Sequence, residues 1–301
     1  MKATVFGGSG FLGSHVADAL SHAGHEVTVA DIVDAPYLRS DQDFAHCDIT
    51  DANAVLRAAE GSYVVYHFAG LADIDECSRR PRETVGVNVL GTVNVLEAAR
   101  AAGAKRFVFA SSIYVAGEAG SFYRASKQAS ELYIEEYRRA YGLDYTILRF
   151  GTLFGRRADD TNSVHRYLRQ ALEQRRIVAQ GTGDELREYI HVGDAARLSV
   201  DILADEYANE SLVLTGHYPL RFRELLTLIA EIVGDDVEVE LQAPREGDEV
   251  ASARSGHYAI TPYAFRPKIA RKLVTTSYVD LGQGLVDVLH ELHEREPEPA
   301  Q

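Results

Sequence analysis

The sequence predicts an α/β protein, a doubly wound parallel sheet with a smaller α/β lobe beside it. Two observations carry this: apolar strands alternate with amphipathic helices, and a glycine-rich turn joins the first strand to the first helix. Residues 3–6 read as a buried strand, 11–23 as the helix after it and 26–30 as the second strand. The apolar run at 63–68 is a further strand, 85–102 a helix, 106–110 a strand, 123–141 a helix and 145–150 a return to the sheet. After Gly155 the regularity weakens. Residues 156–163 are polar and loop-like, 164–174 helical, and 187–192 a short strand opening a helix at Asp194. Residues 212–214 form another short strand, and 222–233 a helix with Leu225, Leu226 and Ile229 on one face. The expected division places 1–155 with 189–215 in the sheet domain, and 156–188 with 216–301 in the lobe. The charged, proline-containing tail 294–301 is expected to fray.

The turn Gly7-Gly8-Ser9-Gly10-Phe11-Leu12-Gly13 allows close backbone approach, so that a pyrophosphate can rest on the following helix N-terminus. A glycine turn can also serve packing alone. Strand, turn, helix and strand are followed here by Asp31, 18 residues beyond Gly13, near the spacing of an acid that accepts the ribose hydroxyls of NAD. A 2′-phosphate would be repelled by this carboxylate, and no basic residue follows before Arg39. The turn and Asp31 favour NAD over NADP.

The second half of the sheet carries candidate chemistry. Ser112 falls just past a strand's C-terminal end, on the rim where ligands lie in open α/β sheets. Tyr123 and Lys127 are i and i+4, on one face of a helix. An ammonium beside a phenol, with the positive nicotinamide of NAD, is expected to lower the tyrosine pKa from about 10 toward the working pH. A tyrosine so poised takes a hydroxyl proton.

Composition narrows the partners. The 301 residues are 46% hydrophobic and can bury a substantial core, and the length suggests roughly two domains. With 31 basic and 45 acidic residues the net charge is −14, unsuited to general binding of nucleic acid or anionic membrane. Cys47 and Cys77 stand in no metal-ligand spacing and suit a reducing compartment. No apolar run reaches membrane-spanning length and no leader precedes the first strand, so a cytoplasmic protein without metal is expected.

The chain resembles an extended short-chain dehydrogenase/reductase of the NAD-dependent epimerase/dehydratase family, with a Rossmann-like fold, acting on nucleotide sugars. The resemblance covers nearly the whole chain. It rests on Gly7 to Gly13, Cys47-Asp48-Ile49, His67-Phe68-Ala69-Gly70, Asn88-Val89-Leu90-Gly91-Thr92, Ser111-Ser112, Tyr123 to Lys127, Leu148-Arg149-Phe150, Arg187 to Val192 and Arg245-Glu246-Gly247-Asp248. It implies that Gly7, Gly10, Phe11, Leu12, Gly13 and Asp31 bind NAD, with Asp48 and Ile49 at the adenine. Phe68, Ala69, Gly70, Asn88, Ser111, Tyr123 and Phe150 would also meet the dinucleotide, and Lys127 its nicotinamide ribose. Ser112, Tyr123, Thr152, Arg187 and Arg245 would meet the nucleotide-diphosphate sugar, the arginines at its diphosphate or ribose. Relatives pair as homodimers through helices corresponding to 89–102 and 123–141.

Within that resemblance, dehydratases follow the catalytic serine or threonine with acids. Here Ser112 is followed by Ile113 and Tyr114, which favours 4-epimerisation of a UDP-sugar through a transient 4-keto intermediate. In that scheme Tyr123 is the base, Ser112 bonds the same sugar oxygen and Lys127 tunes the tyrosine. Two departures bear on substrate. Thr152 stands where many relatives carry asparagine, and only 11 residues separate Ser112 from Tyr123, which implies a more open pocket fit for a bulkier or modified sugar. A dehydrogenase or ketoreductase with exchangeable NAD(H) is the alternative. A non-catalytic dinucleotide binder is disfavoured by the intact Ser112, Tyr123 and Lys127.

The Asp31 reading predicts a Kd for NAD more than about tenfold below that for NADP, like charges at such a contact costing several kcal/mol. In calorimetric titrations, Asp31→Ser should narrow that ratio.

Overall fold

The computed structural model describes residues 1–234, 236–242 and 270–295. In chain order the strands are β1 (Lys2–Phe6), β2 (Glu26–Asp31), β3 (Gln42–His46), β4 (Val64–His67), β5 (Arg106–Ser112), β6 (Tyr145–Phe150), β7 (Thr152–Phe154), β8 (Arg176–Gln180), β9 (Leu186–Arg187), β10 (Tyr189–His191), β11 (Glu210–Leu214), β12 (Leu220–Arg221), β13 (Glu238–Gln242) and β14 (Arg271–Lys272). The helices used below are α1 (Phe11–His22), α2 (Ala52–Ala58), α3 (Ile74–Arg79), α4 (Pro81–Thr84), α5 (Gly91–Ala101), α6 (Ser121–Tyr141), α7 (Ser163–Gln174), α8 (Val192–Asp201) and α9 (Phe222–Val233).

The chain forms two compact units. One holds Met1–Phe150, Ala195–Leu214 and the described part of Pro262–Leu273; the other holds Gly151–Asp194 and the described parts of Thr215–Thr261 and Val274–Gln301. Residues 151–155, 189–194 and 215 thus leave the expected sheet domain, and 270–273, expected in the lobe, join it. The reason is pairing: β7 and β10 bond to each other as a separate two-stranded ribbon, not to the main sheet.

The first unit is an eight-stranded sheet in the order β14-β11-β6-β5-β4-β1-β2-β3, parallel at every pairing. The chain runs outward from β1 to β3, then crosses back to β4 and builds the other half. Between β1 and β4 the winding reverses, and a crevice opens there at the strands' carboxyl ends. Strands β4 and β6 are buried along their whole length, as a sheet covered on both faces requires. On one face Phe6, Val65, Phe107, Phe109 and Ile147 pack with Val95, Leu96 and Ile134 of the helices. On the other, the Tyr66 hydroxyl donates to the Ser199 carbonyl at 2.8 Å and Arg106 donates to Thr146 Oγ1 at 2.9 Å. Ile134 is therefore core, whereas Leu132 on the same helix is 59% exposed.

Several elements differ from the sequence expectation. The edge strand β3 and the helix α2 have no expected counterpart. Only Gln42 of β3 is fully buried, and α2 buries only Val55 and Ala58, its start set by Asp51 accepting from the Asn53 and Ala54 amides. The helix expected over 85–102 begins as a π-helix, Val85–Leu90, before α5. There the Asn88 carbonyl is taken by the hydroxyls of Thr92 at 2.5 Å and Ser130 at 2.9 Å, side chains that enter the helical ladder and widen it. The strand expected at 187–192 is broken at Glu188 into β9, antiparallel to β12, and β10, parallel to β7.

The second unit has its own core. Phe154, Leu168, Ile177, Phe222, Leu225, Ile229 and Leu285 are buried together, the last from helix Leu281–Arg295. Glu294 and Arg295 end that helix and so are not frayed backbone; the rest of the expected tail lies outside the described residues. No described helix is long and apolar enough to cross a membrane, and no described cluster of His, Cys, Asp and Glu could hold a metal ion.

The turn after β1 depends on two missing side chains. A Cβ on Gly7, whose φ is +82°, would lie 2.4 Å from the Ala69 amide nitrogen; one on Gly13 would lie 2.0 Å from the Gly7 carbonyl oxygen. Neither neighbour is a side chain that could swing away. Gly13→Ala is expected to lower stability by about 1–3 kcal/mol, the ordinary cost of overpacking a filled site. Denaturant melts and NAD titration should show lower stability and weakened binding together.

Candidate active site

The glycine turn is held from beneath. Gly7 N–H donates to the Ala30 carbonyl at 2.9 Å, and Gly10 N–H to the Gly7 carbonyl at 3.2 Å. Gly10 caps α1 with no side-chain bond, and no acid stands in the first turn. The amides of Phe11, Leu12 and Gly13 open the helix, where the first N–H groups have no intrahelical acceptor and the dipole favours an anion. Asp31 ends β2 beside the turn: its Oδ2 accepts from the Ser9 amide at 3.0 Å and its Oδ1 from the Ile32 amide at 2.8 Å. The carboxylate is oriented by backbone alone. Glycines that cannot carry a side chain, an uncapped helix start and an acid one strand over fit a dinucleotide pyrophosphate and its ribose.

The other expected cofactor residues line the neighbouring strand ends. Asp48 is exposed, its Oδ1 accepting from the Thr50 amide and hydroxyl at 2.8 Å. Ile49 is buried and packs where a Cβ on Gly91 would lie 2.7 Å from its Cδ1. Phe68 meets Phe150 edge-on at 6.3 Å. Ala69 and Gly70 form the turn against Gly7, and Asn88 braces it: its Oδ1 accepts from the Leu71 amide at 2.8 Å and its Nδ2 donates to the Leu71 carbonyl and Ser126 Oγ, both at 3.0 Å. Both amide donors of Asn88 are therefore spent inside the protein. Ser111 likewise turns inward, donating to Glu131 at 2.6 Å.

Ser112, Tyr123 and Lys127 come together in the same unit. Ser112 is the last residue of β5, its Oγ accepting from the Tyr114 amide at 3.3 Å and hydrogen-bonded with the Tyr123 phenol. Helix α6 begins at Ser121, two residues earlier than expected, which sets Tyr123 in the first turn. The short connection folds onto this helix: Gln128 donates to the Val115 carbonyl and Arg124 to that of Gly117, both at 2.9 Å. Tyr114 stands edge-on to Tyr123 with ring centroids 6.4 Å apart. Lys127 Nζ donates to the Ala110 carbonyl at 2.8 Å and lies 5.7 Å from the centre of the Tyr123 ring.

The electrostatics correct one expectation. The protein's own groups do not lower the Tyr123 pKa: burial pushes the phenol up, and the Ser112 hydrogen bond only partly opposes it. Burial also pulls Lys127 down to about 8, against the thiol of Cys77 and the carboxylate of Glu131. Behind this pair His67 is fully buried, its Nε2 3.0 Å from Thr92 Oγ1, and burial with the nearby Lys127 charge drives it down to about 3.

Thr152 and Arg187 belong to the second unit. The Thr152 amide donates to the Glu188 carbonyl at 3.3 Å. The Arg187 guanidinium lies 4.2 Å from the centre of the Phe222 ring, and its buried Nε finds no hydrogen-bond partner. Such an orphan donor on a cation suits an anionic ligand. Arg245 lies outside the described residues.

Sequence reasoning passed over Glu131 and Ser130, and gave no role to Arg149 and Ser126 although both lie in motifs that carry the family resemblance. Glu131 had a signal, four residues beyond Lys127 on a face that continues into Ile134 and the core.

A family model described as the NAD dependent epimerase/dehydratase family matches residues 3–214. The chain belongs to that family. It is 29% identical to the UDP-glucose 4-epimerase of Mycolicibacterium smegmatis over 90% of this chain and 95% of that one. In structure it is similar to the UDP-glucose 4-epimerase of Thermotoga maritima, solved with UDP-glucose, at a TM-score of 0.80, 25% identity and coverage of 98% and 99%. It is similar also to DesIV of Streptomyces venezuelae, a dTDP-glucose 4,6-dehydratase solved with NAD and TYD bound, at a TM-score of 0.82, 25% identity and 98% of both chains. Membership in the family thus leaves both epimerases and dehydratases as relatives.

A pH dependence follows from His67. Its folded pKa of about 3 lies below the 6.5 of the free side chain, so the unfolded chain binds the extra proton between those values. Stability from this site is complete above pH 6.5 and falls on acidification toward pH 3, by on the order of 5 kcal/mol. Denaturant melts across that window should show a shallower loss in His67→Gln than in the parent.

Proposed function

We propose that the protein is an NAD-dependent nucleotide-sugar epimerase that inverts C4 of a UDP-sugar through a transient 4-keto intermediate. The observation that carries this is the Ser112, Tyr123 and Lys127 group with no acid behind it. Ile113 is buried, and Tyr114 turns its ring to Tyr123. Neither residue directly after Ser112 is a carboxylate that could shuttle the extra protons that elimination of water requires.

In this reading the Tyr123 phenol exchanges a proton with the C4 hydroxyl and Ser112 hydrogen-bonds the same oxygen. NAD, when bound, supplies reversible oxidation at that carbon and a positive charge. Tyr123 needs that charge, because its burial opposes phenolate, while its place in the first turn of α6 favours it. Gly7, Gly10, Phe11, Leu12 and Gly13 take the pyrophosphate, Asp31 the adenosine ribose, and Asp48 and Ile49 the adenine. Phe68, Ala69, Gly70 and Phe150 shape the cleft, with Asn88 and Ser111 holding its walls. Lys127 donates to the nicotinamide ribose. Thr152, Arg187 and Arg245 serve the nucleotide end of the substrate, Arg187 with its unpaired N–H. The sugar rotates between oxidation and reduction to present its other face.

Assembly belongs to the same reading. A homodimer through α5 and α6 would cover Leu132, Tyr133 and Tyr141, all largely exposed in the single chain. A cytoplasmic setting accords with two free, buried cysteines.

The test is incubation with UDP-, GDP-, CDP- and dTDP-sugars without added cofactor, products resolved by NMR. One UDP-sugar should give its C4 epimer, and Tyr123→Phe should lower kcat by about 10³-fold, within the range of a lost acid–base group. Conversion only with added NADH or NAD, with stoichiometric absorbance change, would assign a ketoreductase or dehydrogenase instead.

A further inference from the structure

Tyr123, Lys127 and Glu131 stand at i, i+4 and i+8 on α6, one above another along a single face. Glu131 reaches furthest into the sheet. Its Oε1 accepts the Ser111 hydroxyl of β5 at 2.6 Å and Arg149 Nε of β6 at 3.0 Å, while its Oε2 accepts a terminal Arg149 nitrogen at 2.7 Å. Arg149 is 1% exposed, Ser111 3% and Glu131 4%. A fork of this kind fixes angle as well as distance. Ser111 is also the chain neighbour of Ser112, so one carboxylate governs both the strand that presents the serine and the helix that presents the phenol.

We propose that Glu131, gripped by Arg149 and Ser111, is a positioning residue that sets the Tyr123–Lys127 face of α6 against Ser112. The inference rests on the catalytic roles proposed above for those three. Stability alone does not call for this cluster, because apolar residues of similar volume often replace a buried ion pair without loss of stability. What they cannot replace is direction: a guanidinium fork and a hydroxyl hold the helix at one rotation about its axis.

The carboxylate also acts on Lys127. The groups facing that amine are Tyr123 and Glu131 from its own helix, Cys77 from α3, His67 from β4, and the Ala110 carbonyl and Phe109 ring from β5. Glu131 and Cys77 favour the proton on Lys127 against its burial. Loss of the Glu131 charge should therefore lower the Lys127 pKa further, a change that a purely structural contact would not produce.

The test compares the parent with Glu131→Leu/Arg149→Met, which leaves no buried charge, and with Glu131→Gln, Ser111→Ala and Tyr123→Phe. Melting, NAD titration, steady-state kinetics on the UDP-sugar found in the panel, and NMR titration of isotope-labelled lysine are the readouts. The double variant should melt at or above the parent and bind NAD. Its kcat should fall about a hundredfold, the scale of a small displacement of reacting groups, with KM nearly unchanged. In Glu131→Gln the Lys127 pKa should drop below the parent value. Should the double variant fail to fold, Ser111→Ala must lower kcat severalfold at constant KM. Parent-like kcat in the folded double variant or in Ser111→Ala, or an unmoved Lys127 pKa in Glu131→Gln, overturns the positioning role. If Tyr123→Phe itself turns over like the parent, the catalytic reading fails and the positioning role with it.

Discussion

Backbone meets backbone where the two halves of the sheet join. Gly7 and Ala69 come so close after β1 and β4 that the space between them has no room for a single methyl group. That approach closes the floor of the crevice, and Gly13 lets α1 start directly over the Gly7 carbonyl. Everything a dinucleotide would need follows from this contact: an uncapped helix start above it, Asp31 on one side, and the Ala69–Gly70 turn on the other. Asn88 then fastens the turn to α6 through Leu71 and Ser126, and the π-helix is the local form that lets Asn88 do so while its own carbonyl is held by Thr92 and Ser130.

The site beyond the crevice is a balance between burial and compensation. Tyr123, Lys127 and His67 are each displaced toward their neutral forms by the loss of water, and only part of that is countered by neighbours. A charge pair carried fully into the interior, Glu131 with Arg149, is saturated by a fork and a hydroxyl. A site arranged in this way is quiet on its own. In the mechanism proposed above, a cation beside the phenol would offset that burial and tie proton transfer to possession of the cofactor.

Much of the sheet was legible because burial on both faces leaves a plain record in sequence. The run Tyr145–Phe150 matches its strand residue for residue, and α9 its helix, since the first is rich in aromatic and β-branched residues and the second presents an apolar stripe. The glycine turn, Asp31, Ser112 and the Tyr123–Lys127 pair were readable as spacing. What could not be read is set by contacts distant in sequence. Strand β3 is polar because it lies at an edge, and α2 has too narrow a stripe to signal a helix. The π-helix depends on hydroxyls as far away as Ser130. Glu131 looks like a solvated helix residue, and Arg149 has no visible partner within its strand, until the fold brings them together. That the protein's own groups hold the Tyr123 pKa up was hidden for the same reason, because helical spacing reveals a neighbouring charge but not the depth at which both groups are buried.

The strand order carries a consequence for synthesis. Strand β1 lies between β2 and β4, so its second partner, starting at residue 64, follows the first, starting at residue 26, by a whole edge of the sheet. Until residues 64–69 are made, the glycine turn rests on β2 alone, and β1 and β2 expose apolar surface that the crossing helices will later cover. The second core is later still, since it draws on residues from Phe154 to Leu292. Pairings of such long sequence separation close slowly and leave nascent strands open to association with other chains. The contact that makes the cofactor crevice possible is thus one for which the growing chain must wait.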